Sequence, residues 1–187
     1  ARPPEPVDLA ALARETVRDF VPKAMDKRID LGYEGPDDGQ SLNGTLMGQP
    51  TLVRELVRNL VDNALQYTPA GGTVTARVVD DPFGQVVVLQ VEDTGPGIPE
   101  AERALVLQPF YRALGTNVDG SGLGLAIVNE IVQQHGADLT ITDARPRGSA
   151  AAQGMGPGAL FTVRFALSRP DSGQAGAPGD TLPPPAG

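Results

Sequence analysis

The chain has 187 residues, 40% of them hydrophobic and only 4% aromatic, with a formal net charge of −8. This is enough for one domain with a core of Leu, Val, Ala and Ile, and short for two. The acidic balance disfavours nucleic acid and anionic membranes. The absence of cysteine excludes disulfides and thiol chemistry, and the single His135 excludes a multi-histidine metal site.

The opening Ala1-Arg2-Pro3-Pro4-Glu5-Pro6 reads as a linker, and residues 1–7 are taken as the join to a preceding part of a longer protein. Helical spacing follows from Asp8, a plausible N-cap, to about residue 28, with Pro22 expected to kink or interrupt it. Short strands are expected over 29–33 and 41–47, around the turn Gly35-Pro36-Asp37-Asp38-Gly39. Residues 51–67 carry the strongest helical pattern, with Leu52, Val53, Leu56, Val57, Leu60, Val61, Ala64 and Leu65 on one apolar face.

Two β-rich runs, 73–79 and 85–91, are joined through Asp80-Asp81-Pro82-Phe83-Gly84 and predict a hairpin. Pro99–Leu105 predicts a short helix opened by proline. Residues 112–121 are polar and without period, a loop expected to be mobile. Residues 122–135 are helical with Gly136 as the stop, and 139–142 and 160–165 are strands. A small-residue loop, 145–158, separates those strands, and the Pro/Gly/Ala-rich tail from 168 to 187 predicts disorder. The folded domain is thus placed at 8–167. No run reaches the roughly 18 apolar residues of a membrane span, and no signal peptide opens the sequence. The setting reads as cytoplasmic, without direct membrane contact.

Three features carry chemistry. On the 51–67 helix, Glu55, Asn59 and Asn63 recur every fourth residue along the border of the apolar face, with Arg54, Arg58 and Asp62 on the opposite, solvent side. Amides at such a border need partners, since burying one unpaired costs about 1–3 kcal/mol. Neighbouring backbone can supply them, and so can a ligand.

Asp93 follows an apolar strand and opens Asp93-Thr94-Gly95-Pro96-Gly97-Ile98-Pro99. A carboxylate at a strand end can accept a hydrogen bond from the exocyclic amine of adenine, where guanine presents a carbonyl. Gly95 and Gly97 allow a tight turn and close approach to a base, although a plain turn uses the same residues. Gly120-Ser121-Gly122-Leu123-Gly124-Leu125 opens a helix, so bare N–H groups and a positive helix end can face phosphates. Packing of small residues explains that box equally well on its own. Leu125 stands where the dinucleotide fingerprint needs its third glycine, and no P-loop pattern is present.

Together these segments resemble a known family. Glu55-x-x-x-Asn59-Leu60-x-x-Asn63-Ala64-x-x-Tyr67 resembles the N box of sensor histidine kinases. The Asp93–Pro99 segment is similar to their first glycine box, Pro109-Phe110-Tyr111-Arg112 to the phenylalanine box, and Gly120–Val128 to the second glycine box. The boxes occur in family order and spacing, and the likeness covers about residues 5–167.

The resemblance implies an α+β, two-layer Bergerat sandwich: a mixed, mostly antiparallel sheet with about three helices on one face and a flexible ATP lid over 112–121. It implies ATP and Mg2+ as cofactors. Asn63 would bind the metal through its amide oxygen, Asn59 would contact phosphate, and Glu55 would act as general base or orient the attacking imidazole. Tyr67 would flank the adenine and Asp93 would read it, with Ile98 and Leu123 nearby. Arg112 would be the lid's phosphate-facing charge, and the amides of Gly120, Ser121, Gly122 and Gly124 would hold phosphates. The implied partners are a dimerisation hairpin of the same parent protein, which carries the phosphoaccepting histidine, and a downstream response regulator. The parent protein would be anchored in the cell membrane.

Three positions depart from the family pattern. Gln66 stands where many members carry Lys or Arg, Thr116 lies where a second Arg is common, and Ala159 occupies the place of a Thr that follows glycine. Losing two partly exposed cations, at roughly 1 kcal/mol each, predicts modest ATP affinity. His135 is read as structural, a cation near a helix C-terminus. The chain is therefore expected to bind ATP while lacking its own phosphoacceptor. The alternatives are an ATP-hydrolysing relative of the same superfamily and a nucleotide-holding module without catalysis.

Overall fold

The computed structural model describes residues 2–37, 45–81, 83, 85–111, 122–148 and 156–168. The expected lid over 112–121, with Arg112, Thr116, Gly120 and Ser121, lies outside the described residues, as do 38–44, 149–155 and the tail from 169.

A five-stranded sheet carries the fold in the order β2-β4-β5-β7-β6. Its strands are β2 (Asp30–Glu34), β4 (Thr73–Asp81), β5 (Val86–Asp93), β6 (Asp138–Asp143) and β7 (Ala159–Ala166). β2 runs parallel to β4 and every other neighbour is antiparallel. Alternation supplies one apolar face. Val78, Leu89, Val163 and Leu139 stand in register across four strands, and Ala76, Val91, Phe161 and Ile141 form the next row. Val78, Leu89, Val163, Ala76, Val91 and Phe161 are buried.

Three helices pack over that core: α1 (Leu9–Asp26), α2 (Pro50–Tyr67) and α3 (Gly124–Gln134). Asp8 caps α1, its side chain accepting from the Ala11 N–H at 3.0 Å. Pro22 does not interrupt α1, which runs through it unbroken. Pro22 and Arg18 are both exposed, so water can reach the carbonyl that proline leaves without a donor. Val53, Leu56, Val57, Leu60, Val61, Ala64 and Leu65 of α2 are buried.

Arg54 and Arg58 of α2 are exposed, as the helical pattern suggests, and Asp62 is half-buried. They meet α1, whose direction α2 shares. Arg54 pairs with Glu15 and Arg58 with Asp19, each at 3.1 Å, and Asp62 pairs with Lys23. One turn on, Lys27 donates to the carbonyls of Leu65 and Gln66 and so closes the C-terminus of α2. Burial lowers the Lys27 pKa, with Lys23 adding to the effect and Asp62 opposing it.

Other boundaries also differ from the sequence reading. Glu5–Val7, within the expected linker, form β1, which pairs antiparallel with β3 (Leu46–Gly48). The expected helix over 99–105 is instead two single 3-10 turns, Glu100–Glu102 and Leu105–Leu107. Among the described residues no helix is long and apolar enough to cross a membrane.

Candidate functional site

α2 supplies Asn59 and Asn63, both half-buried. Across from them, β5 ends at Asp93 and the chain turns through Gly95 and Gly97, the latter at φ 79°. The start of α3 comes in from a third side. A Cβ on Gly124 would stand 3.3 Å from Asn59 Oδ1, so glycine lets the helix end approach the amide. The three elements enclose a cavity of about 360 Å3. Asn59, Asn63, Tyr67, Asp93, Gly97, Ile98, Gly122 and Gly124 all line it.

Neither Asn59 nor Asn63 has a side-chain hydrogen bond to any other described residue. Two half-buried amides on a cavity wall, without protein partners among those residues, are placed to serve a ligand.

Asp93 is buried, with only 4% of its surface exposed. Its Oδ1 accepts from the Gly95 N–H at 2.9 Å and the Ala159 N–H at 3.1 Å. Both bonds end on one oxygen, so the other keeps its acceptor capacity toward the cavity. Burial raises the Asp93 pKa above the usual carboxylate value. The Gly95 and Ala159 N–H groups and the nearby Arg145 pull it down, and Glu92 pushes it up.

The wall behind Asp93 was not legible as a functional element. Gly156 and Gly158, read as part of a small-residue loop, back the first glycine box. A Cβ on Gly156 would lie 2.3 Å from the Gly95 carbonyl oxygen, and one on Gly158 would lie 2.1 Å from that of Asp93. The Gly158 N–H donates to the Gly95 carbonyl at 3.0 Å. The signal was present as Gly156-Pro157-Gly158 directly before a strand.

Not every expected residue joins the cavity. Glu55 is exposed and outside its lining, and Leu123 precedes α3 without lining it. Gly95 acts through its backbone on Asp93. The further lining side chains include Asp62, Glu102 and Tyr111, whose hydroxyl donates to Glu102 at 2.9 Å. The Gln66 amide is engaged with Asp62 at 2.9 Å. The described lining therefore holds three acids and neither Lys nor Arg. Such a wall favours a polyanion only when a cation accompanies it.

His135 lies away from the cavity, at the C-terminal end of α3. Its Nε2 accepts from the Gln49 N–H at 3.0 Å, so the ring is neutral there and Nδ1–H donates to the Ile131 carbonyl at 2.8 Å. The ring also stands edge-on to Phe165. The role is structural, as expected from the sequence. It is that of a neutral staple between α3 and the start of α2 rather than a cation at a helix end.

Residues 48–169 match the model of the histidine kinase-, DNA gyrase B- and HSP90-like ATPase family. The chain belongs to this ATPase family. It is 38% identical over 161 residues to the signal transduction histidine-protein kinase/phosphatase MprB of Mycobacterium sp. (strain KMS), covering 85% of this chain and 28% of that protein. It is 40% identical over 131 residues to the sensor protein kinase PmrB of Pseudomonas aeruginosa, covering 70% of this chain and 26% of that protein. The chain thus spans little more than a quarter of these curated relatives.

A solved structure of the mycobacterial sensor histidine kinase MprB superposes with a TM-score of 0.72 at 31% identity, covering 89% of this chain and 99% of that one. The full-length ShkA structure, solved in complex with AMPPNP, gives 0.69 at 27% identity, covering 89% of this chain and 32% of that one. The two-layer α/β architecture and the ATP-binding character of the domain are those of the ATPase family.

Proposed function

We propose that this domain binds Mg2+-ATP between α2 and α3 and delivers the γ-phosphoryl group to a histidine on a separate dimerisation hairpin of the same parent protein. The relay would continue to a response regulator, with the parent anchored in the cell membrane. The observation that carries the reading is the pair Asn59 and Asn63. Their amides lack partners among the described residues and face a cavity whose opposite wall is Asp93.

Each side chain then has a role. The second oxygen of Asp93 accepts from the adenine amine, with Tyr67 and Ile98 around the base. Asn59 and the N–H groups of Gly122 and Gly124 meet phosphate oxygens, joined by Gly120, Ser121 and Arg112. Mg2+ is a hard ion that takes oxygen donors and keeps several waters. An amide oxygen at Asn63 beside a polyphosphate suits it, and the acidic lining adds attraction. When bound, the ion neutralises phosphate charge. Glu55, exposed and outside the cavity, would orient the incoming imidazole or take its proton.

The test supplies the hairpin separately with labelled ATP. Transfer that is lost in Glu55→Ala and Asn63→Ala supports the kinase. ATP turnover without a hairpin supports a hydrolase. ATP binding without transfer supports a second reading, a nucleotide-holding module. That reading is favoured by Gln66, whose amide is spent on Asp62 where a cation would meet phosphate. Affinity is expected to be modest, and titration calorimetry showing submicromolar ATP binding would contradict that expectation.

A further inference from the structure

The end of β6 is tied to the segment behind Asp93 by three consecutive contacts. The Ala144 N–H donates to the Gly158 carbonyl at 3.3 Å, and the Arg145 N–H donates to the Pro157 carbonyl at 3.1 Å. The Arg145 side chain then reaches on, Nη1 donating to the Gly156 carbonyl at 3.2 Å. Gly156 has no room to retreat, since even a Cβ there would strike the Gly95 carbonyl. From Gly156 the chain passes through Gly158, bonded to Gly95, to Ala159, bonded to Asp93 Oδ1.

We propose that Arg145 is a positioning residue for base recognition: its guanidinium clamps the Gly156–Ala159 segment behind Asp93 and so fixes which carboxylate oxygen faces the base. The proposal rests on the nucleotide reading above and deepens it.

Two effects of one side chain reinforce each other. The clamp keeps the Ala159 N–H on Oδ1, which leaves the other oxygen to the base. The charge acts on the same group. Asp93 is buried, and an acceptor for an amine must be unprotonated at the oxygen that faces it. Of the charged groups acting on Asp93, Arg145 favours ionisation and Glu92, next to it on β5, opposes it. Asp62 and Glu102 line the same cavity and are also negative. Arg145 is therefore the cation that offsets burial of this carboxylate. Its neighbour Arg147 is bonded instead to Asp143, at 2.9 and 3.0 Å, and makes a control.

The experiment uses the full chain and the variants Arg145→Met, Arg145→Lys and Arg147→Met. Carbon-detected NMR follows the titration of the Asp93 carboxyl without nucleotide, and calorimetry measures Mg2+-ATP binding across pH. In Arg145→Met the Asp93 midpoint should rise. ATP binding should weaken roughly two- to fivefold, the order expected from one partly screened charge contact, and its acid limb should move to higher pH. Arg145→Lys should restore the midpoint, a rescue that a merely structural residue would not show, and Arg147→Met should leave it in place. An Asp93 midpoint and acid limb unmoved in Arg145→Met, with ATP still bound, would overturn the role of Arg145 alone. A midpoint that moves as expected in a protein that ignores ATP would overturn the nucleotide reading, and base recognition with it.

Discussion

Ala159 and Asp93 are 66 positions apart in sequence and joined by one hydrogen bond, from the Ala159 N–H to Asp93 Oδ1 at 3.1 Å. That bond makes the carboxylate proposed to read the base a property of two strands rather than of one glycine box. It also decides what Asp93→Asn will do. The asparagine Oδ1 keeps both backbone N–H groups, which leaves Nδ2, a donor, facing the amine of adenine. Two donors cannot pair, at a cost of about 1–3 kcal/mol, or roughly five- to 150-fold in ATP affinity by calorimetry. Stability should move the other way. The Asp93 pKa is raised in the folded state, so the stability this carboxyl contributes is fully present below its unfolded pKa and is lost as pH rises through the folded value. At neutral pH the variant should therefore melt at or above the unchanged protein, with the difference closing at acid pH. A variant less stable at neutral pH would contradict this.

Gly158 and Gly71 separate strain from collision. Both have positive φ, 69° and 89°, which a side chain disfavours. An added Cβ at Gly71 meets nothing within 4 Å, whereas at Gly158 it would stand 2.1 Å from the Asp93 carbonyl oxygen. Gly71→Ala should cost about 1 kcal/mol in urea denaturation. Gly158→Ala should cost about 2–4 kcal/mol, because the overlap falls on backbone that cannot rotate away, and it should weaken ATP binding by displacing Asp93.

The parts legible in sequence are those encoded by period. The burial pattern of α2 and the β4–β5 hairpin follow from local alternation. The β1–β3 pairing was not legible: a strand was expected over 41–47, at the edge of β3, but its partner at 5–7 is three residues within a run that reads as linker. Glu55 shows the limit of an every-fourth-residue rule. Each step of four drifts about 40° around a helix, so Glu55 and Asn63 stand about 80° apart and only the latter lines the cavity. The face bearing Arg54, Arg58 and Asp62 was charged, and charge reads as solvent. The structure leaves Arg54 and Arg58 exposed but pairs the three with Glu15, Asp19 and Lys23, spaced by four in the same way.

His135 gives a prediction about chemistry as well as stability. Both ring nitrogens are engaged, Nδ1 with the Ile131 carbonyl and Nε2 with the Gln49 N–H. The one in-plane lone pair, on Nε2, is held by the Gln49 N–H and is not available to attack phosphorus, so incubation with labelled ATP should leave no acid-labile phosphoryl group on this chain. His135→Phe keeps a ring against Phe165 but removes both bonds and leaves the Gln49 N–H without its acceptor, which should cost about 1–3 kcal/mol in chemical denaturation. Label appearing at His135 would overturn the structural assignment.

The α1–α2 ladder offers two arginines that differ in one respect. Arg54 and Arg58 each hold a carboxylate of α1 at 3.1 Å, Glu15 and Asp19, but only Arg58 also lies over the Phe20 ring, 5.0 Å from its centroid. Both pairs are substantially exposed, so each ion pair alone is worth about 0–1 kcal/mol and is screened by salt. Arg54→Ala should cost a few tenths of a kcal/mol at low salt, falling to nothing at high salt. Arg58→Ala should cost about 1 kcal/mol and keep much of that at high salt, because the guanidinium and its stem also cover an aromatic face. A double-mutant cycle with Phe20→Ala should return about 0.5–1 kcal/mol of coupling for Arg58. The same cycle should return none for Arg54. Equal coupling for the two would mean that the ring contributes nothing to holding α1 on α2.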